Sequence, residues 1–244
     1  METQVHIQSH ETMDINPAPF VLASVLTSYP MDFVAENIPL LLQDESLHLS
    51  EELRVLILEK TSAEHIQDLQ SEYITIFDNG RDANPIYETE YDRRRAMGKG
   101  NELSDIAGFY KAFGFELDNT LDGMEMLDHV GIELEFYSLM LMKEIHLTEA
   151  NNAEGVEIVG DARRKFLKAH LGRFVSAISR RPGVTSSEFY NKVFTWSADL
   201  VSEECKRLNV EVVPADWVDS EALKDEDMNC SLGGTGCPPE TNTV

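Results

Sequence analysis

The chain predicts an all-α fold, on three observations: apolar residues recur at helical spacing, start and stop signals bracket most of those runs, and the alternating runs that a sheet needs are missing. Its 244 residues and 42% hydrophobic content are enough for one globular body, which the periodicity divides into about seven to nine helices. Residues 1–16 are polar and are expected to form a flexible N-terminus. Pro17 and Pro19 suit a first helical turn, where a missing N–H is no loss, so 20–26 reads as the first helix. Pro30 and Pro39 punctuate the next stretch, leaving 38–42 as a second helix or one turn of it. Ser50 before Glu51, Glu52 and Leu53 is a capping start, with early acids favouring the helix N-terminus. Thr61 and Glu64 have the spacing of a capping box, predicting a helix over 62–77. On it Ile66, Leu69, Tyr73, Ile76 and Phe77 form a core-facing stripe. Between 78 and 100 the pairs Asn79-Gly80 and Asn84-Pro85 and the glycines at 98 and 100 mark an irregular segment. Helices resume over 102–113, with Gly114 as the stop, and over 124–145, 155–179 and 186–208, the last two parted by Pro182-Gly183. The body therefore spans 17–213. Beyond it seven acids face Lys224 alone, and Gly233, Gly234, Gly236, Pro238 and Pro239 break any helix, so 214–244 reads as a flexible acidic tail with at most a short helix over 217–224.

Charge narrows the partners. Against 44 acidic side chains there are 20 basic ones, a formal −24. Nucleic acid is excluded, because phosphate binding needs a basic footprint. A field of this sign favours basic partners, although solubility alone is the simplest use of it. Cys205, Cys230 and Cys237 are an odd set without metal-ligand spacing, which fits a reducing compartment rather than a disulfide framework. There is no apolar run of membrane-spanning length, and the first thirty residues lack the basic start and apolar stretch of a signal peptide. A cytoplasmic chain without stable membrane insertion is the expectation.

Asp128, His129, Glu133 and Glu135 fall at the front of the helix predicted over 124–145, and three roles compete for them. His129 and Glu133, four apart, share a face, as do Asp128 and Glu135, seven apart. A di-metal centre would need Glu-x-x-His pairs from two helices, which the chain lacks. An alternative metalloenzyme would draw on Glu125, His129, Glu133 and Glu144, but a hydrolytic His–acid pair has no evident nucleophile. The plainer role is structural: Asp128 caps the helix and His129 bonds across a loop. Tyr87, Glu88 and Tyr91 sit in the irregular segment, where aromatic rings serve peptide capture or pin the loop to the core. The arginines at 93–95 are internal, lack a following apolar run and are expected to pair with local acids. Phe109, Tyr110 and Phe113 recur at helical spacing as core, while Gly108 is expected to admit a second backbone and, with Tyr110, to line a groove.

Three of these segments carry a resemblance. Pro85-Ile-Tyr-Glu-Thr-Glu-Tyr91, Glu102-Leu-Ser-Asp-Ile-Ala-Gly-Phe-Tyr-Lys-Ala-Phe-Gly114 and Asp128-His-Val-Gly-Ile-Glu-Leu-Glu-Phe-Tyr137, in this order, resemble the TorD/DmsD/NarJ family of molybdoenzyme maturation chaperones. The Tyr-Glu-x-x-Tyr form of the first inclines toward the branch serving type II dimethyl sulfoxide reductase enzymes. The resemblance implies two helical subdomains joined by a hinge near 116–128, no catalytic residue, no metal and no cofactor of its own. It implies a client, the apo catalytic subunit of a molybdenum-cofactor oxidoreductase, bound by its twin-arginine signal peptide or its body and held for cofactor insertion, assembly and export. Asp128 and His129 would contact that client, with Tyr87, Glu88, Tyr91, Gly108, Tyr110 and Glu133 around them. The family has a proline before the acid where this chain has Leu127. A general acidic adaptor is the remaining alternative, and a hinged helical body is compatible with a monomer or a domain-swapped dimer.

Overall fold

A computed structural model describes residues 15–91, 99–117 and 126–215. The expectations for 1–14, for the arginines at 93–95, for most of the hinge and for the tail with Cys230 and Cys237 lie outside the described residues. Ten α-helices carry the described part: α1 (Ala18–Thr27), α2 (Phe33–Leu41), α3 (Glu51–Lys60), α4 (Ile66–Tyr73), α5 (Lys99–Phe113), α6 (Val130–Glu149), α7 (Ala153–Ala169), α8 (Leu171–Ile178), the five-residue α9 (Pro182–Ser186) and α10 (Glu188–Arg207). Nine of them have eight residues or more, and no strand occurs among the described residues.

The start signals work where a side chain is free to cap. Ser50 accepts from Leu53 N–H at 3.2 Å and opens α3, and Ser187 accepts from Tyr190 N–H at 2.9 Å and opens α10. Gly114, at φ +63°, ends α5 in the left-handed conformation that glycine adopts without strain. The capping box at 61–64 does not form. The Thr61 hydroxyl donates to Ile57 C=O at 2.7 Å and the Ser62 hydroxyl to Glu59 C=O at 2.7 Å, so both close α3. The next helix starts at Ile66 and passes into a π-helical turn, Ile74–Asp78. Pro39 lies inside α2 rather than ending it.

The core pair is α1 against α6. Their approach depends on Gly131, where a Cβ would stand 2.1 Å from Ser28 Oγ and 3.1 Å from Ser24 C=O. From α6 the bundle runs through α7 and α8 to α10, which closes back on α1, and α3 leans on α10. The helix predicted over 155–179 is two, broken at His170 (φ −126°, ψ −100°). Gly172 permits the break: a Cβ there would meet Leu167 C=O at 2.4 Å, Val212 at 3.0 Å and Cys205 Sγ at 3.2 Å. Arg163, wholly buried, cross-ties three helices by ion-pairing with Glu144 of α6 and Glu204 of α10. Tyr137 completes the tie, donating to Glu204 at 2.6 Å while it accepts from Arg163 Nε at 3.2 Å.

Candidate functional site

The irregular segment does not hang free of the bundle. Residues 85–91 run past the start of α6 and pair with it: Glu88 N–H donates to Asp128 C=O at 2.9 Å, Val130 N–H donates to Ile86 C=O at 3.2 Å, and Tyr87 and His129 form an isolated antiparallel bridge. Asp128 adds a side-chain clasp, its Oδ2 accepting from Thr89 N–H at 3.0 Å and from the Thr89 hydroxyl at 2.7 Å. Tyr91 closes the far end, donating to Pro85 C=O at 2.7 Å with its ring edge-on to Phe174.

The roles expected of Asp128 and His129 are exchanged. The helix begins at Val130, not near 124, and His129 is its cap, with Nδ1 accepting from Gly131 N–H at 3.1 Å. That fixes the tautomer: Nε2 carries the hydrogen and donates to Tyr73 Oη at 3.1 Å. Burial of the whole ring pushes its pKa down to about 3, so the imidazole is neutral. Asp128, outside the helix, is the residue that reaches across to the loop. It shares no helix face with Glu135, which is exposed.

Behind this clasp lies a buried group of acids. Glu88, Asp128 and Glu133 are 5%, 0% and 0% exposed. Glu88 is held by His170, whose Nδ1 lies 2.9 Å from Glu88 Oε2 while Nε2 lies 3.1 Å from Asp105 Oδ2, tying the loop to α5 and to the α7–α8 break. Burial opposes a charge on His170, but hydrogen bonds and charges from Glu88 and Asp105 outweigh it and raise the imidazole pKa. Burial raises that of Glu88, with His170 pulling back in part. Neither carboxylate oxygen of Glu133 receives a hydrogen bond from another group among the described residues, nor does Asp128 Oδ1. Burial first, then the charges of Glu88 and Asp128, push Glu133 well above the usual carboxylate range. The site thus favours the neutral form of Glu133.

The other site residues divide between core and surface. Tyr110 is buried on α5 and donates to Leu127 C=O at 2.8 Å, its ring packed on Phe115 and Phe136. Gly108 is exposed, and a Cβ on it meets nothing within 4 Å, so no second backbone approaches there as expected. Tyr87 is half-buried, with the Arg81 guanidinium 4.8 Å over its ring and His129 edge-on at 5.4 Å. The residues of a metalloenzyme are not gathered: Glu144 is taken by Arg163, His129 bonds Gly131 and Tyr73, and Glu125 lies outside the described residues. Sequence reasoning missed Thr89, Tyr73 and His170. Thr89 lies inside the Tyr-Glu-x-x-Tyr segment and had a local signal, whereas His170, in the middle of a helical pattern, had none.

The arrangement offers no activated nucleophile and no open acid–base pair. It is suited to holding a surface loop in one conformation. The model of the nitrate reductase delta subunit family matches residues 42–179, more than half of the chain and all of the residues above. The chain is 28% identical over 123 residues to the selenate reductase assembly chaperone protein of Thauera selenatis, and 27% identical over 124 residues to the chlorate reductase assembly chaperone protein of Ideonella dechloratans. Each match spans 50% of this chain and 62% of the relative. On the extent of that family match, the chain belongs to the nitrate reductase delta subunit family, the NarJ/TorD-type chaperones.

Proposed function

We infer that the chain is a system-specific maturation chaperone, which binds the apo catalytic subunit of a molybdenum-cofactor oxidoreductase and holds it until the cofactor is inserted. Family membership supports this reading, as do two relatives named as assembly chaperones of a selenate and a chlorate reductase. The observation that carries it is the clasp of 85–91: Asp128 holds Thr89, His170 holds Glu88, and the Tyr87–His129 bridge pins the loop to the start of α6. Tyr87 is the residue of that loop that presents a half-exposed ring, an amphipathic contact surface of low entropic cost. In this reading Asp128, His129, Glu88, Tyr91, Tyr110 and Glu133 position the client surface from beneath, and Tyr87 with the exposed flank of α5 at Gly108 meets the client.

The client segment is a twin-arginine signal peptide or the subunit body. The −24 charge suits a basic partner, and carboxylates recognise arginine by forked hydrogen bonds that lysine does not reproduce. The test is capture by tagged protein from anaerobically grown cells, with mass spectrometry of what co-purifies. Wild type is expected to recover a molybdenum-cofactor reductase catalytic subunit. Tyr87→Ala is expected to recover less of it while keeping its helical content by circular dichroism, and a client whose leader arginines are replaced by lysine should bind more weakly. Equal binding of the arginine and lysine forms removes recognition of arginine by carboxylates, and capture of no such subunit removes the chaperone reading.

A further inference from the structure

Helix α2 exposes the wrong residues for a surface helix. Phe33 is 55% exposed, Leu40 is 64% exposed and Met31, just before the helix, is 38% exposed. Phe33 and Leu40 are seven apart, two turns along one face, with Glu36 between them. Only Val34 and Ile38 of the helix are buried, and a hydrogen bond from Gln70 of α4 to Pro30 C=O at 2.9 Å anchors its approach. The face lies before residue 42, where the family match begins, so that match does not account for it.

Its electrostatics are one-sided. The first 53 residues hold nine acids and no lysine or arginine, and the first cation, Arg54, is turned onto Leu42 C=O. Asp32, Glu36, Asp44 and Glu45 are all exposed on and beside α2. Two occupants are thereby disfavoured. A second copy docked on the same face would set acid against acid, and the chain's own segment 216–244 carries seven acids against Lys224. A segment with apolar side chains flanked by arginine or lysine fits instead.

We propose that the Phe33–Glu36–Leu40 face of α2 is a docking surface for a basic, apolar segment of the client subunit, a second contact apart from the loop at 85–91. It rests on the chaperone reading and names which part of the client is held and where. Phe33 and Leu40 take the apolar side chains, and Glu36 with Asp32 takes the cations.

The test titrates the full chain into a fluorescently labelled synthetic peptide, two arginines followed by a leucine- and alanine-rich run, and reads anisotropy. Wild type is expected to bind it, and to lose binding to peptides with glutamate for arginine or serine for leucine. Phe33→Ser/Leu40→Ser should weaken binding by about tenfold or more, and Glu36→Lys should weaken it and flatten its salt dependence. Ile158→Ser, at an equally exposed apolar position on α7, should bind as wild type does. Undiminished peptide binding by the double variant overturns the proposal. So does self-association by light scattering that the double variant abolishes, or peptide affinity that rises on deletion of 216–244, since these hand the face to a second copy or to the tail. Wild type and double variant capturing the reductase subunit while binding the peptide equally would sink this inference alone. Failure of wild type to capture any such subunit would sink the chaperone reading itself.

Discussion

Glu133 and His129 stand one helical turn apart and titrate in opposite senses, which makes their contributions to stability separable by pH. Burial, then Glu88 and Asp128, raise the Glu133 pKa in the folded chain, whereas in the unfolded chain the same carboxyl ionises near pH ~4.3. Its contribution is complete below that unfolded value and is lost as pH rises through the folded one. Glu133→Gln keeps the shape and the donor without the ionisation. Its melting temperature relative to wild type should therefore climb as pH rises above the unfolded value of about 4.3, and parallel curves would contradict a raised Glu133 pKa. For His129 the sense reverses, because burial lowers its pKa to about 3. Its contribution is present above the unfolded value of about 6.5 and is lost as pH falls toward the folded value. Asparagine also caps helices, so His129→Asn should retain α6 and flatten the loss of stability between about pH 6.5 and about pH 4. A variant as acid-sensitive as wild type would show that another group sets that limb.

At the scale of the elements, two glycines separate a required break from an incidental one. Gly172→Ala places a methyl group 2.4 Å from Leu167 C=O, between Val212 and Cys205, and is expected to cost about 1–3 kcal/mol as the α7–α8 junction shifts. Gly108→Ala meets nothing within 4 Å in the middle of α5, and should stabilise by about 0.5–1 kcal/mol through helix propensity. Denaturant midpoints of the two variants check both signs. The pair also shows what was legible beforehand. Caps at Ser50 and Ser187 and the stop at Gly114 are local chemistry, readable from a few residues. At the break at His170, Gly172 is a local cue, but the packing it admits against Val212 and Cys205, some 30 to 40 positions further along, is not readable from the neighbouring residues. The capping box at Thr61 failed for a related reason: a threonine hydroxyl that caps forward also bonds backward, and here the backward bond to Ile57 formed. At the clasp the sequence pattern singled out Asp128 and His129, but the helix starts later than its periodicity suggests, and that shift exchanged their roles.

For the whole molecule, acidity is divided into two kinds. Asp128 and Glu133 are buried beside the loop at 85–91, which buries its own Glu88, while the acids of α2 and its flanks lie in solvent, where their field would favour a basic partner and is screened by salt. No helix among the described residues is long and apolar enough to cross a membrane. The proposed function is the holding of a client subunit, so the state of that subunit is the most direct readout. The decisive measurement is native mass spectrometry, with molybdenum analysis, of the complex captured by tagged protein from anaerobically grown cells. The prediction is a defined complex with one reductase catalytic subunit lacking molybdenum, released when the cofactor is supplied. A captured subunit already carrying its cofactor, or the absence of any reductase subunit, would contradict it.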